Sequence, residues 1–194
     1  MNFKKMTLCT TKFAFYLAFI FILAACNEEV EEILEDPMVS ESIDYDAKLD
    51  SLGLTLTKPG APVANYVNIV QTGSLLFLAG KGPALAEGGY VTGKVGRDLT
   101  IEEGYEAARL TAIAQLSVLK DYLGDLNKVK RVVKVLGMVN CMDDFGNQPE
   151  VINGFSDTMV AVFGEKGKHA RAAVGMNSLP RGIAVEVELV VEVY

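Results

Sequence analysis

Residues 183–193 read Ile-Ala-Val-Glu-Val-Glu-Leu-Val-Val-Glu-Val. Val185, Val187, Leu189, Val191 and Val193 occupy every second position, with Glu186, Glu188, Val190 and Glu192 between them. Strand side chains point alternately to the two faces of a sheet. One face of this strand is therefore apolar and packs against helices. The other carries acids and meets water, a partner subunit or a site.

The neighbouring segments supply the rest of the fold. Ala170 to Met176 is a short strand, and Lys128 to Cys141 a long, β-branched one. Between them, Gln148 to Phe163 has helical spacing and stops at Gly164. Thr100-Ile101-Glu102-Glu103 is a capping box: a Thr at the cap and a Glu three residues on satisfy the first free backbone N–H groups. It opens a helix that runs to Leu123, with Ala108, Ala112, Leu116, Leu119 and Leu123 as its buried stripe. Tyr66 to Gln71 and Leu75 to Ala79 flank Thr72-Gly73-Ser74 and read as a hairpin. A loop with six glycines follows, Gly80 to Gly96. The order is ββαβαββ, an α+β domain of a mixed sheet with both helices on one face. A further short helix is expected over Glu41 to Gly53, then a turn-rich linker at Lys58 to Pro62, so the compact domain is expected over 64–194.

Composition limits what such a domain does. The chain has 194 residues, half of them apolar and 22% charged, with a formal net charge of −7. An acidic chain repels nucleic-acid backbone. One histidine, His169, and three separated cysteines cannot build a Cys/His zinc cage, and neither metal nor cofactor is expected. Gly164-Glu165-Lys166-Gly167-Lys168-His169 has the wrong spacing for a phosphate loop.

Lys4, Lys5 and Lys12 precede an apolar run of 13 residues, Phe13 to Ala25. A spanning helix needs about 20, so the segment has the shape of a secretory signal peptide, 1–25. The run ends Leu23-Ala24-Ala25-Cys26, which resembles the lipobox of bacterial lipoproteins, with Cys26 as the lipidated residue. An uncleaved apolar anchor is the alternative. Cleavage leaves 169 residues with a charge of −10, because three lysines and no acids depart. Residues 26–63 then hold the lipidated cysteine, an acidic tether with six acids over 27–36, and the short helix. Cys141 remains alone and reads as a small buried hydrophobe. The expected location is the bacterial cell envelope, periplasmic or cell-surface, through a lipid anchor.

Two charged residues stand out. On a strand, His169, Arg171, Ala173 and Gly175 share a face. Small neighbours leave room for the Arg171 guanidinium to act as a carboxylate fork, or to pair with a strand glutamate. Glu186 lies on the polar face of the last strand. If the last two strands form a hairpin, Arg171 and Glu186 border one cleft, and a carboxylate there can orient water. A solvated or ion-paired Glu186 is the other reading.

Asn65-Tyr66-Val67, Leu76-Phe77-Leu78-Ala79-Gly80, Val151-Ile152-Asn153-Gly154, Gly167-Lys168-His169-Ala170-Arg171, and Ser178-Leu179-Pro180 before Val185-Glu186-Val187-Glu188 together resemble the RidA (YjgF, or L-PSP endoribonuclease-like) superfamily. The similarity spans about Leu49 to Val193 and leans toward a less studied branch. It implies a chorismate-mutase-like fold and a homotrimer with sites between protomers. It also implies hydrolytic deamination of small imino or enamino acids. By resemblance, Arg171 grips the substrate carboxylate and Glu186 positions water or relays a proton. Tyr66 is the aromatic lid residue, Asn153 borders the cleft, and the backbone at Gly80 contacts carboxylate. Ala79 replaces a usual serine, and Ala173 a usual cysteine whose backbone carbonyl the family also uses. Lys81 adds a cation beside Gly80. The competing expectation is a non-catalytic envelope trimer that binds a small carboxylate ligand or a partner protein. The ribonuclease label conflicts with the acidic charge and the absence of a basic, aromatic-studded stripe.

Overall fold

The computed structural model describes residues 42–62 and 64–194. The expected signal segment, Cys26 and the acidic tether lie outside the described residues.

Asp44 caps a short helix, α1 (Tyr45–Ser51), by accepting from the Ala47 backbone N–H. A hairpin follows, β1 (Ile69–Thr72) and β2 (Leu75–Lys81). The capping box forms as read: Thr100 accepts from the Glu103 N–H, and Glu103 accepts from the Thr100 N–H. It starts the long helix α2 (Ile101–Leu123). Then come β3 (Val129–Asn140), α3 (Gln148–Phe163), β4 (Ala170–Met176) and β5 (Val185–Val193). Among the described residues three α-helices thus accompany a five-stranded sheet of order β1-β2-β5-β3-β4. Only β3 and β4 run parallel, as the crossover through α3 requires.

The last strand in the chain is thus the middle strand of the sheet. Val185, Val187, Leu189, Val191 and Val193 are all buried beneath α2 and α3, as the alternation predicts. At about 25 cal/mol per Å² of apolar surface, each such valine or leucine contributes roughly 1.5–3 kcal/mol of burial. The two helices press together where Gly154 meets the backbone of Tyr105; a Cβ at Gly154 would overlap the Tyr105 carbonyl oxygen.

Three details differ from the sequence reading. First, the compact unit runs from Ser42 to Tyr194, not from Ala64. Tyr45, Leu49 and Leu54 belong to the same core, and the Tyr45 ring packs on Phe163 with centroids 5.5 Å apart. Second, β4 and β5 are not a hairpin, because β3 lies between them. Strands adjacent in sequence pair often, but the α3 crossover already commits β4 to the far edge of β3. Third, the uncovered face of the sheet is more apolar than its glutamates suggest. Val70, Phe77 and Val174 are exposed there beside Leu136 and Val190.

Candidate functional site

Arg171 stands on β4 opposite Val135 of β3, on the face covered by helices. The expectation that Arg171, Ala173 and Gly175 share a face holds. Ala173 packs on the core, and a side chain at Gly175 would meet Gln148 and Cys141. Cys141 is buried and free. The room beside Arg171 is occupied by α3. Arg171 Nη1 donates to Asn153 Oδ1 at 2.9 Å and to Ser156 Oγ at 3.0 Å. Residues three apart on a helix present side by side, so Asn153 and Ser156 form a paired seat for one guanidinium nitrogen.

The network continues to His169. His169 Nδ1 lies 2.7 Å from the Gly167 carbonyl oxygen, and Nε2 lies 3.1 Å from Ser156 Oγ. A carbonyl only accepts, so Nδ1 carries the proton and Nε2 the lone pair. The Ser156 hydroxyl therefore donates to Nε2 and turns an oxygen lone pair to Arg171. Burial pushes the His169 imidazole below its usual pKa, against the opposing Gly167 contact and together with the Arg171 charge. The neutral imidazole that this geometry needs is thereby favoured.

Arg171 has no carboxylate at ion-pair distance among the described residues. The ion-pair reading of this residue is not what the geometry gives. Both hydrogens of Nη1 are engaged by neutral oxygens, while Nε and Nη2 have no protein acceptor there. Those two N–H groups form the side of the guanidinium that takes a carboxylate in two parallel bonds.

Glu186 lies elsewhere. It is opposite Met138 on β3, while Arg171 is opposite Val135, and β3 separates the two strands. Val185 and Val187 face the helices, so Glu186 projects from the uncovered face and Arg171 from the covered one. The two charges do not border one cleft within a single chain, which corrects the hairpin-based expectation.

Glu186 instead lines a cavity of about 430 Å³ with Tyr66, Gly80 and Lys81. The pairing of β2 with β5 shifts register between Leu78 and Lys81. Gln115 of α2 secures the irregularity, donating to the carbonyl oxygens of Ala79 (3.0 Å) and Val187 (2.7 Å). Gly80 leaves the space that the Glu186 carboxylate occupies; a Cβ there would displace that carboxylate. Burial raises the Glu186 pKa, with the like charge of Glu188 adding to it. Lys81 is half-buried, donates to Asn68 Oδ1 at 2.6 Å, and has its pKa lowered by burial.

The predicted site residues thus fall into two groups. Tyr66, Gly80, Lys81 and Glu186 meet at the cavity. Arg171 and Asn153 meet at the α3–β4 edge, with Ala173 two residues along the strand. The sequence reading missed Ser156, whose three-residue spacing from Asn153 was the available signal. It also missed Arg181, a cavity residue, for which the sequence carries only a Pro-Arg-Gly turn. Among the described residues no cluster of acids, His and Cys could hold a metal ion, and no helix is long and apolar enough to cross a membrane.

Comparison with known proteins assigns the fold. The family model described as "YjgF/chorismate mutase-like, putative endoribonuclease" matches residues 46–193. The chain belongs to the YjgF family. A relative, Protein TCP17 of Trypanosoma cruzi, is 46% identical over 147 residues, which cover 75% of this chain and 92% of that protein. Atu1372 of Agrobacterium tumefaciens, a crystal structure of unknown function, is 42% identical with a TM-score of 0.72, covering 77% of this chain and 94% of that one. The crystal structure of a "putative endoribonuclease" from Shewanella oneidensis MR-1 is 30% identical with a TM-score of 0.74, covering 77% and 99%. The chorismate-mutase-like architecture expected from the sequence is the one these relatives share.

Proposed function

We propose that this YjgF-family chain hydrolyses small imino or enamino acids at clefts between copies of itself. One observation carries the reading: Arg171 is held by neutral oxygens on one nitrogen and offers Nε and Nη2 to a carboxylate, with no acid at ion-pair distance among the described residues. An uncompensated, pre-oriented guanidinium is a ready anchor for a small carboxylate. In the proposed reaction the anchored substrate presents its C=N carbon to water. Glu186, as the carboxylate, takes one proton from that water while the oxygen bonds to carbon. As the oxygen bonds, the C=N π pair moves to nitrogen and Glu186 returns its proton there; the resulting hydroxyl then gives up its own proton to the nitrogen as the C=O forms, the C–N bond breaks, ammonia leaves and a keto acid remains. A raised Glu186 pKa suits a base that must also return the proton. No cofactor is needed for these steps.

Because Arg171 and Glu186 project from opposite faces of one sheet, the reading requires Arg171 of one copy to approach the Glu186 cavity of another. In the proposed assembly three copies pack around their uncovered sheet faces, which covers Phe77, Leu136 and Val190, and the β4 edge that carries Arg171 is the part of each copy that must reach its neighbour's cavity. Cys26 is the proposed lipid attachment that holds the assembly at the bacterial envelope. Replacing Cys26 by Ala should release the chain from membranes in a fractionation assay; a variant that stays membrane-bound and lipid-labelled refutes the anchor.

The deciding experiment is ammonia release from freshly generated 2-imino acids by the full-length chain. Wild type should turn over. Arg171→Lys should lose roughly tenfold to a hundredfold in carboxylate affinity, since Lys cannot form the planar two-bond contact. Carboxylate binding without ammonia release in wild type would favour the non-catalytic binding module, a reading supported by Ala79, which lacks a hydroxyl donor. Equal affinity in wild type and Arg171→Lys overturns the anchor itself.

A further inference from the structure

The cavity beside Glu186 has a charge balance opposite to that of the chain. Lys58, Lys81 and Arg181 line it against the single acid Glu186, in a protein whose net charge is −7. Elsewhere among the described residues five cations are ion-paired, Arg97 with Asp98, Arg109 with Glu106, Lys120 with Asp46, Lys130 with Glu192 and Lys168 with Glu165, while others such as Lys134 and Arg171 are not; what sets the cavity apart is three cations gathered around one concavity. None of the three cavity cations has a carboxylate at ion-pair distance among the described residues. The polar contact of Lys81 is the neutral Asn68 Oδ1. In an acidic chain, like-signed charges left unpaired around one concavity focus the field on that spot.

Arg181 adds a second observation. It is the one non-glycine residue with positive φ, 57°, among the described residues. A long side chain in left-handed backbone is uncommon and persists where the surroundings fix it, in turns and at ligand sites among other places. Here the backbone places a cation at a cavity wall. The cavity, about 430 Å³, is within the range of small-molecule sites.

We propose that the cavity takes a small dicarboxylate, with Lys81 and Arg181 holding the carboxylate that Arg171 of the neighbouring copy does not. The inference rests on the reading of this cavity as the ligand site and narrows its substrate class to dicarboxylic imino acids. A monocarboxylate seated on Arg171 would leave both cavity cations uncompensated. A dicarboxylate of four or five carbons supplies a second anion to them. Its second carboxylate also replaces hydration that Lys81, half-buried, has already lost in part.

The test is calorimetry on the full-length chain at low ionic strength, with succinate against butyrate and glutarate against valerate. The dicarboxylates should bind at least about tenfold more tightly than their chain-matched monocarboxylates, as expected for one charge-assisted contact. Lys81→Gln and Arg181→Gly should each shrink that ratio, and the double variant should bring it near one. Arg181→Gly also relaxes the backbone, so lost folding does not explain a lost preference. A ratio near one in wild type, or a ratio unchanged by both substitutions, overturns the dicarboxylate inference. If monocarboxylate binding persists in that case and Arg171→Lys weakens it, the anchor reading survives alone. If neither acid binds at millimolar concentration, both fall.

Discussion

At the scale of single residues, the proposed function turns on which charges are left unpaired. Ser156 lets Arg171 keep one side free, because its hydroxyl is committed to His169 and can only accept from the guanidinium. Removing the hydroxyl leaves Nη1 one acceptor short, and the guanidinium gains freedom to turn. Ser156→Ala should therefore weaken carboxylate binding by about five- to tenfold, the worth of one charge-assisted hydrogen bond at a half-exposed site. Ser156→Thr, which keeps the oxygen, should recover most of it, with both read by titration calorimetry. Recovery failing in Thr would assign Ser156 a packing role. Glu186 makes a different prediction. Its pKa is raised above the ordinary 4.5 by burial and then by Glu188. The unfolded chain thus gives up this proton at lower pH than the folded one, so stability falls as pH climbs from 4.5 through the folded-state value. Glu186→Gln escapes that cost. It should raise the melting temperature at pH 7 while lowering turnover, and the gain in stability should vanish below pH 4.5.

At the scale of elements, the contact between α2 and α3 is the tightest seam. Gly154 sits against the Tyr105 carbonyl, which is backbone and cannot swing aside. Gly154→Ala should force the helices apart and cost about 1–3 kcal/mol in urea denaturation, despite the better helix propensity of Ala. An unchanged midpoint would show that the seam has slack. Elements were also what the sequence disclosed best. The alternation from Val185 to Val193 and the Thr100–Glu103 box are local patterns with local causes, and both were legible. The order of strands was not. Nothing in residues 170–193 says that β3 inserts between β4 and β5; that follows from the crossover and its packing. The register shift after Leu78 was equally hidden, because it depends on Gln115, distant in sequence, bonding two carbonyls at once. For the same reason the sequence could nominate Arg171 and Glu186 as residues that matter, yet could not tell that one chain holds them apart.

At the scale of the whole molecule, the uncovered sheet face is the surface on which the proposed assembly rests. Phe77 is 45% exposed and Val70 57%, and with Leu136 and Val190 they outline an apolar depression beside Glu188 and Lys134. Patches of this kind on a soluble domain mark contact surfaces. Phe77→Glu should therefore dissociate the proposed trimer in sedimentation velocity and leave the circular dichroism unchanged, since Phe77 contributes nothing to the helix-covered core. A wild-type monomer at micromolar concentration would remove the basis for the shared site.

The central position of β5 also bears on how the protein is made. Its partners β2 and β3 are both synthesised earlier, yet they share no hydrogen bonds with each other. The nascent chain can form the β1–β2 hairpin and α2, but the two halves of the sheet have no common edge until β5 has left the ribosome. Completion of the sheet is thereby deferred until β5 has emerged, and a truncation before Val185 removes the strand that joins the two halves.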